Sequence, residues 1–159
     1  AEIFLKKKHL SLEPINDIVR IKEEYYLKNR SFTLYEGVQE LIGNLKANGL
    51  QLALVTGASH RRLMGTNIAS FLNQFDVLIT GDQVSQGKPS PEPYLLGAQK
   101  LGTIISECLV IENAPMGIKS AKEAGMYCVA ICSTLDKEHL AQADITLNTI
   151  GELLSLFGQ

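Results

Sequence analysis

Residues 108–132 read CLVIENAPMGIKSAKEAGMYCVAIC, and this stretch decides the fold class. It opens with a short apolar run, 108–113, and closes with a second one, 127–132. The segment between them has helical spacing up to Ala124, and Gly125 follows it. Glycine in that place supplies the left-handed backbone on which many helices end. The pattern predicts strand, helix, strand, the unit from which parallel sheets are built.

The same alternation extends on both sides of this unit. Further strands are predicted at 51–56, 75–80 and 144–148. Four further helices are predicted. One includes Val38 and Leu45 and stops at Asn48-Gly49, and a second runs from a Ser59 cap through Leu72. A third has Ser90 as its cap and Pro91 as its first residue and ends at Leu101, and the last runs through Leu153 to Phe157. Apolar strands without alternation indicate a parallel sheet covered by helices on both faces. Ligands of such sheets bind at the carboxyl ends of the strands.

Residues 1–34 have a different pattern, without a strand. Pro14 opens a helix that carries apolar residues from Ile15 to Tyr26, with charged residues on its other side. We therefore divide the chain into a helical appendage, 1–34, and an α/β core, 35–159.

Composition excludes several classes of function. The 159 residues carry a net charge of −2, so no basic face for nucleic acid is expected. No apolar segment approaches the eighteen or so residues of a membrane span. The three cysteines contain no Cys-x-x-Cys pair, which favours free thiols in a reducing compartment, the cytoplasm.

Polar residues follow the predicted strands at their carboxyl ends. Thr56, with Gly57 and Ala58 behind it, offers a hydroxyl and backbone N–H groups that can bind phosphoryl oxygens. Lys88 lies in the loop after the next strand, and its glycine and proline neighbours would hold its backbone. An ammonium is a compact point charge suited to a phosphoryl group.

Glu112 and Asn113 end the third predicted strand. Mg²⁺ takes one or two carboxylates, keeps some waters and binds substrate phosphate, so this pair suggests a metal beside the phosphate. Each signal alone is weak. The threonine could be a turn residue, the lysine a solvated one, and Glu112-Asn113 a cap for the helix that starts near Pro115.

Other classes of protein share single pieces of this pattern. VTGAS (55–59) resembles the start of a short-chain dehydrogenase fingerprint, but Arg61 and Leu63 occupy the places of its later glycines. A receiver-like signalling domain also has threonine and lysine at strand ends, but it requires an acidic pocket.

Longer segments resemble the haloacid dehalogenase (HAD) superfamily, in its helical-cap phosphatase and β-phosphoglucomutase-like branch. They are LVTGAS (54–59), GKPSPEPYLLGAQKLG (87–102) and LVIENAPMGIKSAKEAGM (109–126), with GVQELIGNLKANG (37–49) and TGD (80–82). The resemblance covers nearly all of the chain. It implies a HAD-type Rossmann-like parallel sheet flanked by helices, with residues 1–34 as part of a helical cap.

The resemblance also implies roles for the polar residues. Thr56 and the Gly57 amide would bind the phosphoryl group, and Lys88 would neutralise it. Glu112 and Asn113 would lie in or beside the Mg²⁺ shell, although this branch usually has an acidic residue in place of Asn113. The implied activity is that of a Mg²⁺-dependent phosphatase of small phosphorylated metabolites. The alternatives are a phosphosugar mutase, an inorganic pyrophosphatase and a HAD-like fragment without catalysis.

One part of the family pattern is missing. HAD catalysis proceeds through an aspartyl-phosphate and requires an Asp-x-Asp motif on the first strand, in the middle of the sheet. No two aspartates of this sequence lie two residues apart. We therefore expect the sequence to begin inside the cap, with the nucleophile outside it. The strands at 51–56 and 108–113 would then expose unpaired edges, which invites self-association, or close on each other.

Overall fold

A computed structural model describes residues 11, 14–28, 32–65 and 67–157. Helices and strands alternate from residue 38 onward, as predicted. The helices are α1 Ile15–Lys28, α2 Val38–Ala47, α3 His60–Met64, α4 Ala69–Leu72, α5 Glu92–Leu101, α6 Pro115–Glu123 and α7 Ile150–Phe157, with 3₁₀ turns at Ile105–Glu107 and Lys137–Leu140. The strands are β1 Ala53–Val55, β2 Val77–Ile79, β3 Leu109–Glu112, β4 Tyr127–Ile131 and β5 Ile145–Leu147. The α/β fold class is confirmed.

The described strands form two parallel sheets instead of one. β1 pairs with β2, and β3, β4 and β5 pair in that order. β1 and β3 are not paired with each other, so each keeps a free edge. On β3, Leu109 and Ile111 are 41% and 40% exposed, whereas Val110 between them is buried. Of the two arrangements expected from the sequence, the structure has the unpaired edges.

Helices cover both faces of the three-stranded sheet. On one face, α5 and α6 contribute Ala98, Ile118 and Ala121 to a buried cluster around Cys128 of β4. On the other face, α2 and α7 pack Leu41, Leu45 and Leu153 against Val129 and Ile131. Alternate residues of β4 therefore belong to different layers.

Two helix predictions need correction. The helix predicted from Ser59 through Leu72 is two short helices, because α3 ends at Met64 with Gly65 as its C-cap. Glycine is a poor helix residue, and the apolar spacing of 63–72 continued across it without showing the break. Helix α5 begins one residue later than predicted, with Pro91 as N-cap. The Ser90 hydroxyl still accepts the N–H of Glu92, at 3.3 Å.

The helix predicted after Pro14 is present as α1. Its apolar residues Ile18, Val19, Ile21 and Tyr25 are exposed. After α1, the segment at Phe32 is fastened to the core by Asn67, whose side-chain amide accepts the N–H of Phe32 at 2.9 Å and donates to its carbonyl at 2.8 Å. The division into a cap, 1–34, and a core, 35–159, stays a prediction, and much of 1–34 lies outside the described residues.

Cys108, Cys128 and Cys132 are free thiols, with Cys128 buried and the other two half-buried. None of the helices described here is long and apolar enough to cross a bilayer.

Candidate functional site

Lys88 lies at the carboxyl ends of β1 and β3. Its ammonium donates to Oε1 of Glu112 at 2.5 Å, to the hydroxyl of Tyr94 at 2.9 Å and to the backbone carbonyl of Val55 at 3.2 Å. An ammonium has three hydrogens, and all three have a partner here. The side chain of Lys88 is 20% exposed and that of Glu112 is 9% exposed. The pair is therefore largely removed from water and connects the ends of the two sheets.

Glu112 has a partner for each lone-pair direction of its carboxylate. Oε1 accepts from Lys88 and from the Tyr94 hydroxyl at 2.7 Å, and Oε2 accepts from the backbone N–H groups of Asn113 at 3.0 Å and Ala114 at 3.2 Å. Burial opposes ionisation, but the charge of Lys88 and these hydrogen bonds outweigh it and hold the pKa of Glu112 below its ordinary value.

The cap interpretation of Glu112 is therefore partly correct. Its carboxylate binds the two amides ahead of α6, although the N-cap position itself is Ala114. Gly117, in the first turn of α6, makes room for this arrangement, because a Cβ at that position would overlap both carboxylate oxygens. A helix without a side chain at this point lets Glu112 turn inward toward Lys88.

Tyr94 was not among the residues singled out in the sequence. It lies on α5, is 7% exposed, and belongs to the buried cluster that α5 and α6 form against β4. The Lys88 ammonium lies 4.7 Å from the centre of its ring. Burial raises the pKa of the Tyr94 phenol, so it stays protonated and donates to Glu112. In the sequence, Tyr94 looks like one more core aromatic, and its polar contacts depend on how α5 passes the Lys88 loop.

The Lys88 loop is held on both sides by other side chains. Before it, the Glu92 carboxylate accepts from the backbone N–H groups of Ser85 and Gln86, at 2.7 and 2.8 Å. After it, the buried hydroxyl of Ser120 on α6 donates to the Ser90 carbonyl at 2.6 Å. Lys88 thus projects from a backbone that the Glu92 and Ser120 side chains brace, and the part that its glycine and proline neighbours play stays a prediction.

Thr56 and the residues behind it form a tight loop at the end of β1. The Thr56 hydroxyl accepts the N–H of Ala58 at 3.1 Å, and Gly81 donates to the Ala58 carbonyl at 2.9 Å. The N–H of Gly57 makes no hydrogen bond to the described residues. Gly81 crosses so closely that a Cβ there would lie 2.5 Å from the Gly57 carbonyl oxygen. Of the two amides predicted to bind a ligand, that of Gly57 is uncommitted and that of Ala58 is engaged.

The TGD segment, 80–82, holds the loop that follows Thr56. The buried Thr80 hydroxyl donates to Oδ1 of Asp82 at 2.6 Å, and the same oxygen accepts the N–H of His60 at 3.1 Å. These hydrogen bonds lower the pKa of Asp82. Asp82 thereby ties the start of α3 to the end of β2. In the sequence, Gly81 and Asp82 close the predicted strand at 75–80 and belong to the family resemblance, and their geometry gives them a bracing role.

Asn113 completes the set of predicted residues. Its amide nitrogen donates to the Ser133 hydroxyl at 3.0 Å, which leaves the carbonyl oxygen Oδ1 without a hydrogen bond to the described part of the chain. An amide oxygen is a ligand that Mg²⁺ accepts. Glu112 fits a metal less well, because both its oxygens are engaged. No group of three His, Cys, Asp or Glu side chains in the described ranges could hold a metal ion. Of the two predicted metal ligands, Asn113 therefore offers an oxygen without a hydrogen bond to the described residues, whereas Glu112 does not.

The structure brings Lys88 and Glu112 into direct contact and places Asn113 next in the chain. Thr56 directly follows Val55, whose carbonyl binds Lys88. The residues predicted from three separate segments therefore lie at the carboxyl ends of β1 and β3, which the contacts of Lys88 with Val55 and Glu112 connect.

The sequence and the fold are similar to those of known proteins. The family model for haloacid dehalogenase-like hydrolases matches residues 2–131. Validoxylamine A 7'-phosphate phosphatase of Streptomyces hygroscopicus subsp. limoneus is 39% identical over 119 residues, which are 74% of this chain and 56% of that protein. Hexitol phosphatase A of Escherichia coli K12 is 30% identical over 137 residues, which are 86% of this chain and 63% of that protein. The chain thus spans less than two thirds of the length of these relatives.

A solved structure agrees with the sequence comparison. A point mutant of CbbY from Rhodobacter sphaeroides, in complex with xylulose-(1,5)bisphosphate, superimposes with a TM-score of 0.77 at 30% identity. The match covers 91% of this chain and 68% of that one.

Proposed function

The chain belongs to the haloacid dehalogenase-like hydrolase family, and on that premise we propose that it acts as part of a phosphatase of small phosphorylated metabolites, such as sugar and polyol phosphates. The observation that carries the proposal is the half-buried Lys88 ammonium, held against Glu112 where β1 and β3 end. The proposed substrate class is supported by the phosphatases and the phosphosugar complex to which the chain is similar.

The phosphoryl group would bind between the Thr56 loop and Lys88. The Thr56 hydroxyl and the Gly57 N–H can each donate to a phosphoryl oxygen, whereas Ala58 could do so only after leaving the Thr56 hydroxyl. Lys88 would donate through the hydrogen that now binds the Val55 carbonyl, because at 3.2 Å that contact is its longest. Its charge would then stabilise the negative charge of the transferring group.

We propose that the nucleophile is an aspartate outside these 159 residues. A strand placed between β1 and β3 would pair with both free edges and bring its carboxyl end beside Thr56, Lys88 and Glu112. A carboxylate oxygen there would attack phosphorus as the bond to the leaving oxygen breaks, and a protonated carboxyl would give that oxygen its proton. Water would then cleave the aspartyl-phosphate and release phosphate. Alternatively, a second copy of the chain would pair with the free edges of β1 and β3, so that the protein self-associates.

Mg²⁺ is the proposed cofactor. Asn113 would hold it through Oδ1, with the Glu112 carboxylate beside it, and the ion would neutralise phosphoryl oxygens when bound. Helix α1 would form part of a cap over the site, since it packs against α3, the helix that directly follows the Thr56 loop. A cytoplasmic location stays a prediction.

The first experiment is a phosphatase assay of the protein as its own gene encodes it, with sugar and polyol phosphates and Mg²⁺ at pH 7. We expect release of inorganic phosphate, abolition of that release by EDTA, and a loss of about 10²–10³-fold in Lys88→Ala, in line with the loss of a preorganised donor. Lys119→Ala, an exposed lysine of α6, is the matched control and should leave the rate unchanged.

Other outcomes of this assay would redirect the assignment. Full activity in Lys88→Ala or in EDTA contradicts the proposed site. Conversion of one sugar phosphate into its isomer would favour the mutase, and release of phosphate from pyrophosphate alone would favour the pyrophosphatase. No reaction with any of these compounds would leave a non-catalytic HAD-like protein.

Asn113→Asp tests the metal assignment. The change adds a negative charge at the proposed ligand, while Ser133 can turn its hydroxyl to donate to the new carboxylate. We expect the Mg²⁺ concentration for half-maximal activity to fall about tenfold, because more charge among the ligands tightens binding of a hard cation. Asn73→Asp makes the same change at an exposed position after α4 and should have no effect. An unchanged Mg²⁺ requirement in Asn113→Asp would remove Asn113 from the metal shell.

A further inference from the structure

We infer that Tyr94 is a positioning residue that keeps the Lys88 ammonium aimed at the phosphate site. The inference deepens the proposed function and rests on it. The Tyr94 hydroxyl accepts from Lys88 at 2.9 Å and donates to Glu112 at 2.7 Å. The Tyr94 oxygen therefore contacts both members of the Lys88–Glu112 ion pair.

The hydrogen-bond balance of Lys88 explains what Tyr94 contributes. Two of the three ammonium hydrogens are committed to Tyr94 and Glu112, and the third is on the Val55 carbonyl. With two hydrogens fixed, the direction of the third is fixed as well, since the ammonium is tetrahedral. Tyr94, together with Glu112, therefore determines where Lys88 offers its remaining hydrogen to a phosphoryl oxygen.

Tyr94 is also better fixed than the lysine that it holds. Lys88 extends from a loop on a flexible side chain with four rotatable bonds. Tyr94 belongs to α5, which packs against β1 and β2, and its ring is buried. Through its hydroxyl, Tyr94 therefore restrains the Lys88 ammonium relative to α5. Phenylalanine would keep this ring and its packing but would lose both hydrogen bonds.

The neutral charge and the hydrogen-bonding capacity of the Tyr94 hydroxyl also match its two partners, Lys88 and Glu112. It is neutral, so it adds no charge to the Lys88–Glu112 pair, and it can accept and donate at once. A carboxylate in its place would compete with phosphate for the ammonium, and an amine would repel it. A neutral group that both accepts and donates holds Lys88 without adding a second negative charge to that of Glu112 beside the ammonium.

The test measures binding of inorganic phosphate by calorimetry, without catalysis. We compare the unsubstituted protein with Tyr94→Phe, Lys88→Ala and, as a matched control, Tyr127→Phe, which removes the hydroxyl of an exposed tyrosine at the start of β4. Tyr94→Phe should bind phosphate about tenfold more weakly, the loss typical of a hydrogen bond to a charged group. Tyr127→Phe should bind as the unsubstituted protein does, and Lys88→Ala should not bind.

The outcomes separate this inference from the function on which it rests. Unchanged phosphate affinity in Tyr94→Phe, together with loss in Lys88→Ala, overturns the role of Tyr94 and leaves the phosphate site. No binding by the unsubstituted protein overturns both. Should Tyr94→Phe not fold, a crystal structure of the unsubstituted protein with phosphate gives the answer. Lys88 should keep Tyr94 and exchange Val55 for phosphate, and a Lys88 that has left Tyr94 contradicts the inference.

Discussion

Replacing Lys88 with alanine should lower the free energy of unfolding by about 3 kcal/mol, because it leaves the buried Glu112 carboxylate without its counter-charge. Removal of one partner of a buried ion pair costs more than the pair itself contributes, since the remaining charge stays desolvated. The magnitude is set at the low end of the usual range because Glu112 keeps its hydrogen bonds from Tyr94, Asn113 and Ala114. Urea denaturation at pH 7 measures the change.

Two further variants make this prediction specific. Lys119→Ala removes one partner of the exposed Lys119–Glu123 pair on α6 and should change stability by less than about 0.5 kcal/mol. Glu112→Gln, added to Lys88→Ala, should recover part of the loss because it removes the uncompensated charge. Equal and small effects of Lys88→Ala and Lys119→Ala would mean that the Lys88–Glu112 pair is solvated and not the buried pair described here.

Gly117→Ala should destabilise the protein by about 2 to 3 kcal/mol, as expected where a methyl group is forced into a filled site. The new Cβ would overlap the Glu112 carboxylate, so either α6 or Glu112 has to move. A moved carboxylate loses Lys88 or the amides ahead of α6. The loss should appear although alanine is by itself the better helix residue by about 1 kcal/mol.

Gly43→Ala is the control for this substitution. Gly43 also lies within a helix, α2, but nothing approaches the position of its missing Cβ within 4 Å. Alanine there should raise the free energy of unfolding by about 0.5 to 1 kcal/mol. Stabilisation of the protein by both substitutions would show that Gly117 is not required for the position of Glu112.

Most helices and strands could be predicted because their signals are local. The apolar run at 127–132 became β4, which is paired on both sides, almost at its full length. The run at 51–56 became a strand of only three residues, because β1 has a partner on one edge alone. Pairing depends on neighbours, so an apolar run sets an upper limit on strand length.

The polar residues at strand ends could also be predicted, since parallel strands bring their carboxyl ends to one edge. The sequence could not show which of them touch. Tyr94 and Gly117 act through contacts with residues far away in the chain or across a turn, and nothing in their own segments marks these contacts. Gly81 is similar, because it is needed for its close approach to Gly57 and not for a turn of its own.

The most direct test of the phosphoryl site is nuclear magnetic resonance mapping of inorganic phosphate on the isotope-labelled protein. We expect phosphate to shift the backbone amide signals of Gly57 and Lys88 and of the segment at 112–114, and we expect Lys88→Ala to remove these shifts. Binding of phosphate elsewhere, or shifts that persist without Lys88, would contradict the assignment of this edge of the domain as a phosphoryl site.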